Sequence, residues 1–204
     1  MSHGTLFIIS APSGAGKTSL VKTLGEETDN LLVSISHTTR PMRDSEMDGV
    51  NYHFVTKEQF NEMINQSAFL EHANVFGNLY GTSESWVKEM LAKGKDVMLE
   101  IDWQGSEQVR RLMPNCIGIF ILPPSKEALH DRLHGRGQDS EEVITKRLSE
   151  AREEISHYAA YDYLIVNDVF GAAVADIQSI IQASRFKMTT QAENHQELLQ
   201  ELLS

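Results

Sequence analysis

Thr5-Leu-Phe-Ile-Ile-Ser-Ala11-Pro-Ser-Gly14-Ala-Gly16-Lys17-Thr18-Ser19-Leu20 sets an apolar run of strand type against a Gly-rich turn. The turn then carries Gly-Lys-Thr into a helix-forming stretch. Successive backbone N–H groups of such a loop point inward and surround phosphate oxygens. The helix behind it aims its positive end at the same place. Gly14 and Gly16 permit dihedrals and close approach that a side chain would block. Lys17 is placed to reach the outer phosphates, and the Thr18 hydroxyl is a natural Mg²⁺ ligand. The usual pattern begins with Gly where this chain has Ala11, a difference of one methyl group. The motif implies a nucleoside polyphosphate and by itself names no reaction.

Outward from the loop, the bulk properties narrow the class. A chain of 204 residues with 41% hydrophobic and 7% aromatic content suits one soluble globular domain with a single sizeable core. No apolar run approaches the roughly 20 residues of a membrane span; the best is Ile117-Gly-Ile-Phe-Ile-Leu122. The first residues lack a basic region followed by a signal-type apolar stretch, and a cytoplasmic location is the expectation. Cys116 is the one cysteine, so no internal disulfide can form; its apolar context reads as a small core residue. With 29 acidic and 18 basic residues the formal charge is −11, which argues against a nucleic-acid binder. Anionic small substrates need only a local cluster of Arg and Lys.

Strands are expected at Thr5–Ile9, Leu31–Ser36, Asp96–Asp102, Cys116–Leu122 and Tyr163–Val166, with helices between them. The alternation implies βαβ units and a mainly parallel sheet, which binds ligands at the carboxyl ends of its strands. Residues from about 36 to 92 break that alternation with short strands and charged loops, as an inserted substrate-binding subdomain would. The tail carries Leu198, Leu199, Leu202 and Leu203 on a modest amphipathic helix. It is expected to pack on the body of the protein, with a homo-oligomer contact as the other reading.

Three arginine groups stand out: Arg40 and Arg43 around Pro41, Arg132 and Arg136 where a helix ends, and Arg147 and Arg152 on the next helix. Arg suits a phosphate held by two parallel hydrogen bonds. A kinase joining two nucleotides must neutralise donor and acceptor phosphates and shield the group in transit. Arg152 reads better as a solvated helix charge. Glu100 and Asp102 fall two apart at a strand end, on one face. Carboxylates there can hold the water shell of Mg²⁺ or accept hydrogen bonds from a base. Glu71 is a third acid; a guanine ring offers N1–H and a 2-amino group side by side, and one carboxylate accepts both. Ion pairs with the arginines are an equal reading for all three acids on spacing alone. The histidines make no metal set.

Taken together, these motifs resemble the guanylate kinases from about Thr5 to about Arg185. The residues that carry the resemblance are the Ala11–Thr18 loop, Ser34-Ile-Ser-His-Thr-Thr-Arg-Pro-Met-Arg43, Asp48-Gly49 with Tyr52-His-Phe54, and Phe69-Leu-Glu71 with Gly77-Asn-Leu-Tyr-Gly-Thr82. Leu99-Glu-Ile-Asp-Trp-Gln-Gly105 and Val166-Asn-Asp168 complete the set. The resemblance implies an α/β fold of the P-loop NTPase type in three layers with a mainly parallel sheet. It implies a core of about 1–35, 93–124 and 159–204, a GMP-binding insert of about 36–92 and a helical lid of about 125–158. The implied activity is transfer of the γ-phosphoryl group of ATP to GMP or dGMP, with Mg²⁺ on the donor.

Residue by residue, the resemblance implies that Ser36, Glu71, Thr82 and Asp102 read guanine. It implies that Arg40, Arg43, Tyr52 and Tyr80 grip the GMP phosphate. Ala11, Pro12, Ser13, Gly14, Ala15, Gly16, Lys17, Thr18 and Ser19 would hold ATP together with Arg132 and Asn167, the latter near adenine. Thr18 and Glu100 would serve the metal, and Arg136 and Arg147 would close over the transferring group. The catalytic set is then Lys17, Arg40, Arg43, Arg136 and Arg147. The chain departs from the family in having Asp44-Ser45-Glu46 where Pro-Gly-Glu is usual, which removes no ligand, and in His37, which is assigned no role.

Two other classes compete with this reading. Guanylate-kinase-like domains of animal scaffold proteins bind peptides, but they degenerate in the phosphate loop and come attached to other domains. A kinase for another acceptor, such as a ribose bisphosphate, has no use for a complete guanine-reading set.

Overall fold

The computed structural model describes residues 3–75, 77–134 and 141–204, with only the backbone described for 141–146. Strand β1 (Leu6–Ser10) is buried along its whole length. It leads through the Gly-rich turn into helix α1 (Lys17–Glu27) and then strand β2 (Leu31–Val33). The chain next builds a separate small sheet from β3 (His37–Thr38), β4 (His53–Phe54), helix α2 (Lys57–Asn65), β5 (Phe69–Val75) and β6 (Asn78–Ser83). Helix α3 (Glu84–Ala92) returns it to the main sheet at β7 (Asp96–Glu100), followed by α4 (Trp103–Leu112) and β8 (Ile117–Leu122). Helices α5 (Lys126–His134) and α6 (Glu141–Ser156) precede β9 (Tyr163–Val166) and α7 (Phe170–Arg185). The chain closes with α8 (Met188–Asn194) and α9 (Gln196–Leu203).

The main sheet has the order β2-β7-β1-β8-β9, and every neighbouring pair is parallel. Alternation along β1 divides the core, because successive side chains point to opposite faces. Phe7 and Ile9 pack with Leu20 and Leu24 of α1 and Ile177 and Ile181 of α7. Leu6 and Ile8 pack on the other side with Val87 and Leu91 of α3 and Val109 of α4. The result is the expected three-layer α/β arrangement, with β1 central and the phosphate-type loop at its carboxyl end. Cys116 is buried in the second cluster, as its apolar context implied.

The second sheet runs β4-β3-β6-β5, with β5 and β6 antiparallel. Thr56 caps α2 in a reciprocal pairing with Gln59, and Phe60 stacks on Phe69 at 4.5 Å. Gln108 of α4 fixes this sheet to the core, accepting from His72 N–H at 3.2 Å and donating to His72 C=O at 2.9 Å.

Three expectations are corrected. The second strand ends at Val33 rather than Ser36; Ser34 N–H still reaches Met98 C=O, and the chain then leaves for the small sheet, where His37 lies opposite Gly81. Strand β7 ends at Glu100 rather than Asp102, because the Asp102 side chain caps α4, which begins at Trp103. The tail forms two short helices, and Leu202 and Leu203 of α9 are 72% and 86% exposed instead of packed on the body. Among the described residues no helix is long and apolar enough to cross a membrane.

Candidate functional site

A cleft of about 330 Å³ lies where the carboxyl ends of β1 and β7 face the small sheet. One wall is the loop, Ala11 to Ser19; the other includes Ser36, Tyr52, Glu71 and Tyr80, with Glu100 and Asp102 at the floor. Most of the loop residues read from the sequence as the donor site thus share one space with Ser36, Tyr52, Glu71, Tyr80 and Asp102 of the acceptor set, whereas Arg40, Arg43, Thr82, Arg132 and Asn167 do not line it.

The loop is held open by its supports. Gly14 and Gly16 both take φ 92°, a left-handed value that L side chains rarely adopt. A Cβ on Gly16 would also lie 2.5 Å from the Asn167 side-chain nitrogen. That nitrogen donates to Ala15 C=O at 2.8 Å. Arg132 adds a bond to Asn167 C=O at 2.9 Å and a longer one to Ala15 C=O at 3.4 Å. Asn167 and Arg132 therefore brace the loop from behind, a role that spacing did not suggest. The Lys17 ammonium rests on Ile101 C=O at 3.3 Å.

Thr18 Oγ1 donates to Glu100 Oε1 at 2.6 Å. The Thr18 hydroxyl on the loop and the Glu100 carboxylate at the end of β7 are hard oxygens, the donor type a divalent cation such as Mg²⁺ takes. Strand β7 ends at Glu100, and Asp102 lies just beyond it with extended backbone (φ −84°, ψ −178°). Its carboxylate accepts Gly105 N–H at 2.9 Å and starts α4. Among the described residues Glu100, Asp102 and Glu71 bond to Thr18, Gly105 and Thr82, and none of them pairs with an arginine, which was the rival reading.

Glu71 is aimed inward by a register shift in β5, where Phe69 faces Ser83 and Glu71 faces Thr82. Such a bulge re-aims a side chain, and it explains why Phe69, Leu70 and Glu71 are all buried in succession. Glu71 is 4% exposed and its Oε1 accepts the Thr82 hydroxyl at 2.5 Å. Burial pushes its carboxyl up to about 7; the Asp102 charge adds to the rise, and the Thr82 hydrogen bond opposes it. Close approach is built in from the other side as well, since a Cβ on Gly105 would stand 2.6 Å from Glu71 Oε2.

Tyr52 and Tyr80 meet edge to face at 5.8 Å. Burial, with a smaller push from the Glu100 charge, raises the Tyr52 phenol to about 12, so it stays a neutral donor at neutral pH. The Arg40 guanidinium lies 5.4 Å over the Tyr52 ring and pairs with Glu46 at 2.7 Å. The other Glu46 oxygen accepts Arg43 N–H at 2.9 Å. The Arg40 hydrogen bond holds the Glu46 carboxyl below its usual value, and Glu46 raises Arg40 in turn. Arg43 is exposed, Arg147 is half-buried on α6, and Arg152 is exposed. Arg136 lies outside the described residues.

Two acids of the site escaped the reading of the sequence. Glu46 sits in a charged loop with no periodicity to single it out. Glu154 lines the cleft from α6 and accepts Ser13 N–H at 3.0 Å. The one available signal was spacing: Glu154 follows Arg147 by seven residues, two helical turns, which places both on one face.

Comparison with known proteins gives a consistent picture. The family model described as guanylate kinase matches residues 3–184. A guanylate kinase of Saccharophagus degradans is 58% identical over 98% of this chain and 98% of its own. A guanylate kinase of Vibrio cholerae is 56% identical over 100% of both chains. The crystal structure of guanylate kinase from Anaplasma phagocytophilum superposes with a TM-score of 0.75 at 34% identity, covering 92% of this chain and 89% of that one.

Proposed function

The chain belongs to the guanylate kinase family, and from that premise we propose how its residues divide the work of phosphorylating GMP with ATP. It is an ATP:GMP phosphotransferase, giving ADP and GDP. The division of residues rests on one observation: the loop and the acidic residues Glu71, Glu100 and Asp102 line the same cleft.

On the donor side, the amides from Ser13 to Thr18 and the Lys17 ammonium hold the ATP phosphates, with Asn167 and Arg132 fixing the loop's curvature. Thr18 and Glu100 fit Mg²⁺ as hard oxygen donors; when bound, the metal supplies charge neutralisation across the donor phosphates. On the acceptor side, the Glu71 carboxylate takes N1–H and the 2-amino group of guanine, with Ser36, Thr82 and Asp102 around it. Adenine lacks that donor pair and would leave a buried carboxylate short of those two donors, which is costly. Arg40, Arg43, Tyr52 and Tyr80 hold the acceptor phosphate. The small sheet thus serves as the GMP-binding insert and the α5–α6 segment as the lid that brings Arg147 and Arg136 over the transferring group.

An oxygen of the GMP phosphate attacks the γ-phosphorus in line, one P–O bond forms, and the bond to the ADP oxygen breaks. No side chain acts as a strong base, because the nucleophile is already anionic. Closure expels water, which limits hydrolysis. Catalysis is positioning plus charge stabilisation.

A coupled ADP-release assay across GMP, dGMP, IMP, AMP and dTMP tests the division. GMP and dGMP are expected to turn over well, IMP poorly because it lacks the 2-amino donor, and AMP and dTMP at background. Comparable turnover of AMP and GMP would remove Glu71 from base reading.

A further inference from the structure

One acid in the cleft has no part in the reaction assigned above. Glu154 lies near the carboxyl end of α6, on the element that also carries Arg147. Its Oε2 accepts the Ser13 N–H at 3.0 Å, joining segments 141 residues apart in sequence. Pro12 has no N–H, so after Ala11 the Ser13 amide is the next donor the loop offers. Burial raises the Glu154 carboxyl above its ordinary value, with the Asp102 and Glu150 charges adding to the rise, while the Ser13 hydrogen bond and the Lys17 charge oppose it.

The contact is chemically a phosphate contact: an anionic oxygen on an inward-pointing loop amide. The loop cannot give the same N–H to Glu154 and to a nucleotide phosphate at once. An ionised carboxylate beside a polyphosphate in a half-buried cleft is also repelled. Donor binding must therefore move one of the two anions, and the side chain on α6 is the one free to leave. The stacking of Trp103 on His157 at 3.8 Å marks where the end of α6 is anchored to the start of α4.

We propose that Glu154 is a displaceable positioning residue, an internal stand-in for a phosphate oxygen that holds the Ser13 amide until the donor nucleotide expels it. This rests on the donor-site reading of the loop given above. Displacement frees the inner end of α6 from the loop, so arrival of ATP and movement of the helix that carries Arg147 become one event.

The test uses the full chain with Glu154→Gln and Glu154→Ala, folding being checked by circular dichroism and melting temperature. Dissociation constants for ATP and for GMP are measured separately by calorimetry. Expulsion of a competing anion predicts that ATP binds both variants more tightly, by about threefold to tenfold, the order of one net hydrogen bond. GMP affinity should stay within about twofold, since the Ser13 amide lies in the donor loop. A carboxylate that merely braces the fold would instead leave ATP binding equal or weaker, and that result in folded variants overturns the proposal. Absence of ATP binding to the unaltered protein is a different failure, and it would strike the reading of the loop itself.

Discussion

The Thr18 hydroxyl donates to Glu100 across 2.6 Å, although 82 residues separate them in the chain. The pairing follows from the sheet: β1 and β7 run parallel with Ile9 opposite Glu100, so the loop after one strand and the last residue of the other share an edge. If this edge holds the cation, Thr18→Val and Glu100→Gln should each raise the Mg²⁺ concentration for half-maximal turnover on the order of tenfold or more. Nucleotide binding in the presence of a chelator should change little. An unaltered Mg²⁺ requirement in both variants would place the metal elsewhere.

Glu71 gives a prediction with two signs. Its carboxyl is raised in the folded protein to about 7 from an ordinary 4.5, so the folded state binds more protons than the unfolded one between those values. Stability contributed by this group is therefore greatest below pH 4.5 and declines as pH rises toward 7. GMP requires the ionised form, so its affinity should move the opposite way and weaken as pH falls below about 7. Glu71→Gln should flatten the GMP affinity profile and weaken GMP by about thirtyfold or more, leaving ATP within about twofold. Titrating GMP into both proteins from pH 5.5 to 8.5 reads this directly; a GMP affinity independent of pH in the native chain would contradict it.

The loop was legible in the sequence because its chemistry is local: Gly14, Gly16, Lys17 and Thr18 act within a few residues of one another. The central sheet was legible for a similar reason, since buried parallel strands such as Ile117–Leu122 leave continuous apolar runs. The supports of the site were harder. Asp102 caps α4, but its sequence neighbours read equally well as the end of a strand. The bulge that turns Glu71 inward depends on how Leu70 is accommodated opposite β6, which no single-strand pattern encodes. Asn167 and Arg132 brace Ala15 from more than a hundred residues away. The exposed leucines of α9 show the limit of an amphipathic pattern, which marks an apolar face without naming what covers it.

Glu46 ties the acceptor loop together by accepting from the Arg40 guanidinium and the Arg43 amide with different oxygens. Glu46→Gln keeps the shape and removes the charge that fixes Arg40 over Tyr52. The expected result is a KM for GMP raised about tenfold, with kcat and the KM for ATP nearly unchanged. The native pairing lowers the Glu46 carboxyl below 4.5, so its stabilisation is present above that pH and is lost as pH falls through the lower, folded value. A fall in kcat with an unchanged KM for GMP would show that Glu46 acts elsewhere than through Arg40.

Asn167 tests whether the loop is shaped by its supports or by its own glycines. The side chain is buried and supplies Ala15 C=O with its short hydrogen bond; if it is removed, the 3.4 Å contact from Arg132 is what remains among the described residues. Asn167→Ala should cost about 1–3 kcal/mol of stability in urea unfolding and raise the KM for ATP without raising that for GMP. Asn167→Asp keeps the volume, cannot donate to the carbonyl when ionised, and adds a negative charge behind a loop that binds an anion. It should therefore bind ATP more weakly than the alanine variant, even though it fills the space under Gly16. The order of the three proteins separates the two causes. If the aspartate variant binds ATP as well as the native chain, the glycines alone set the curvature and the Asn167 bond serves only the stability of the fold.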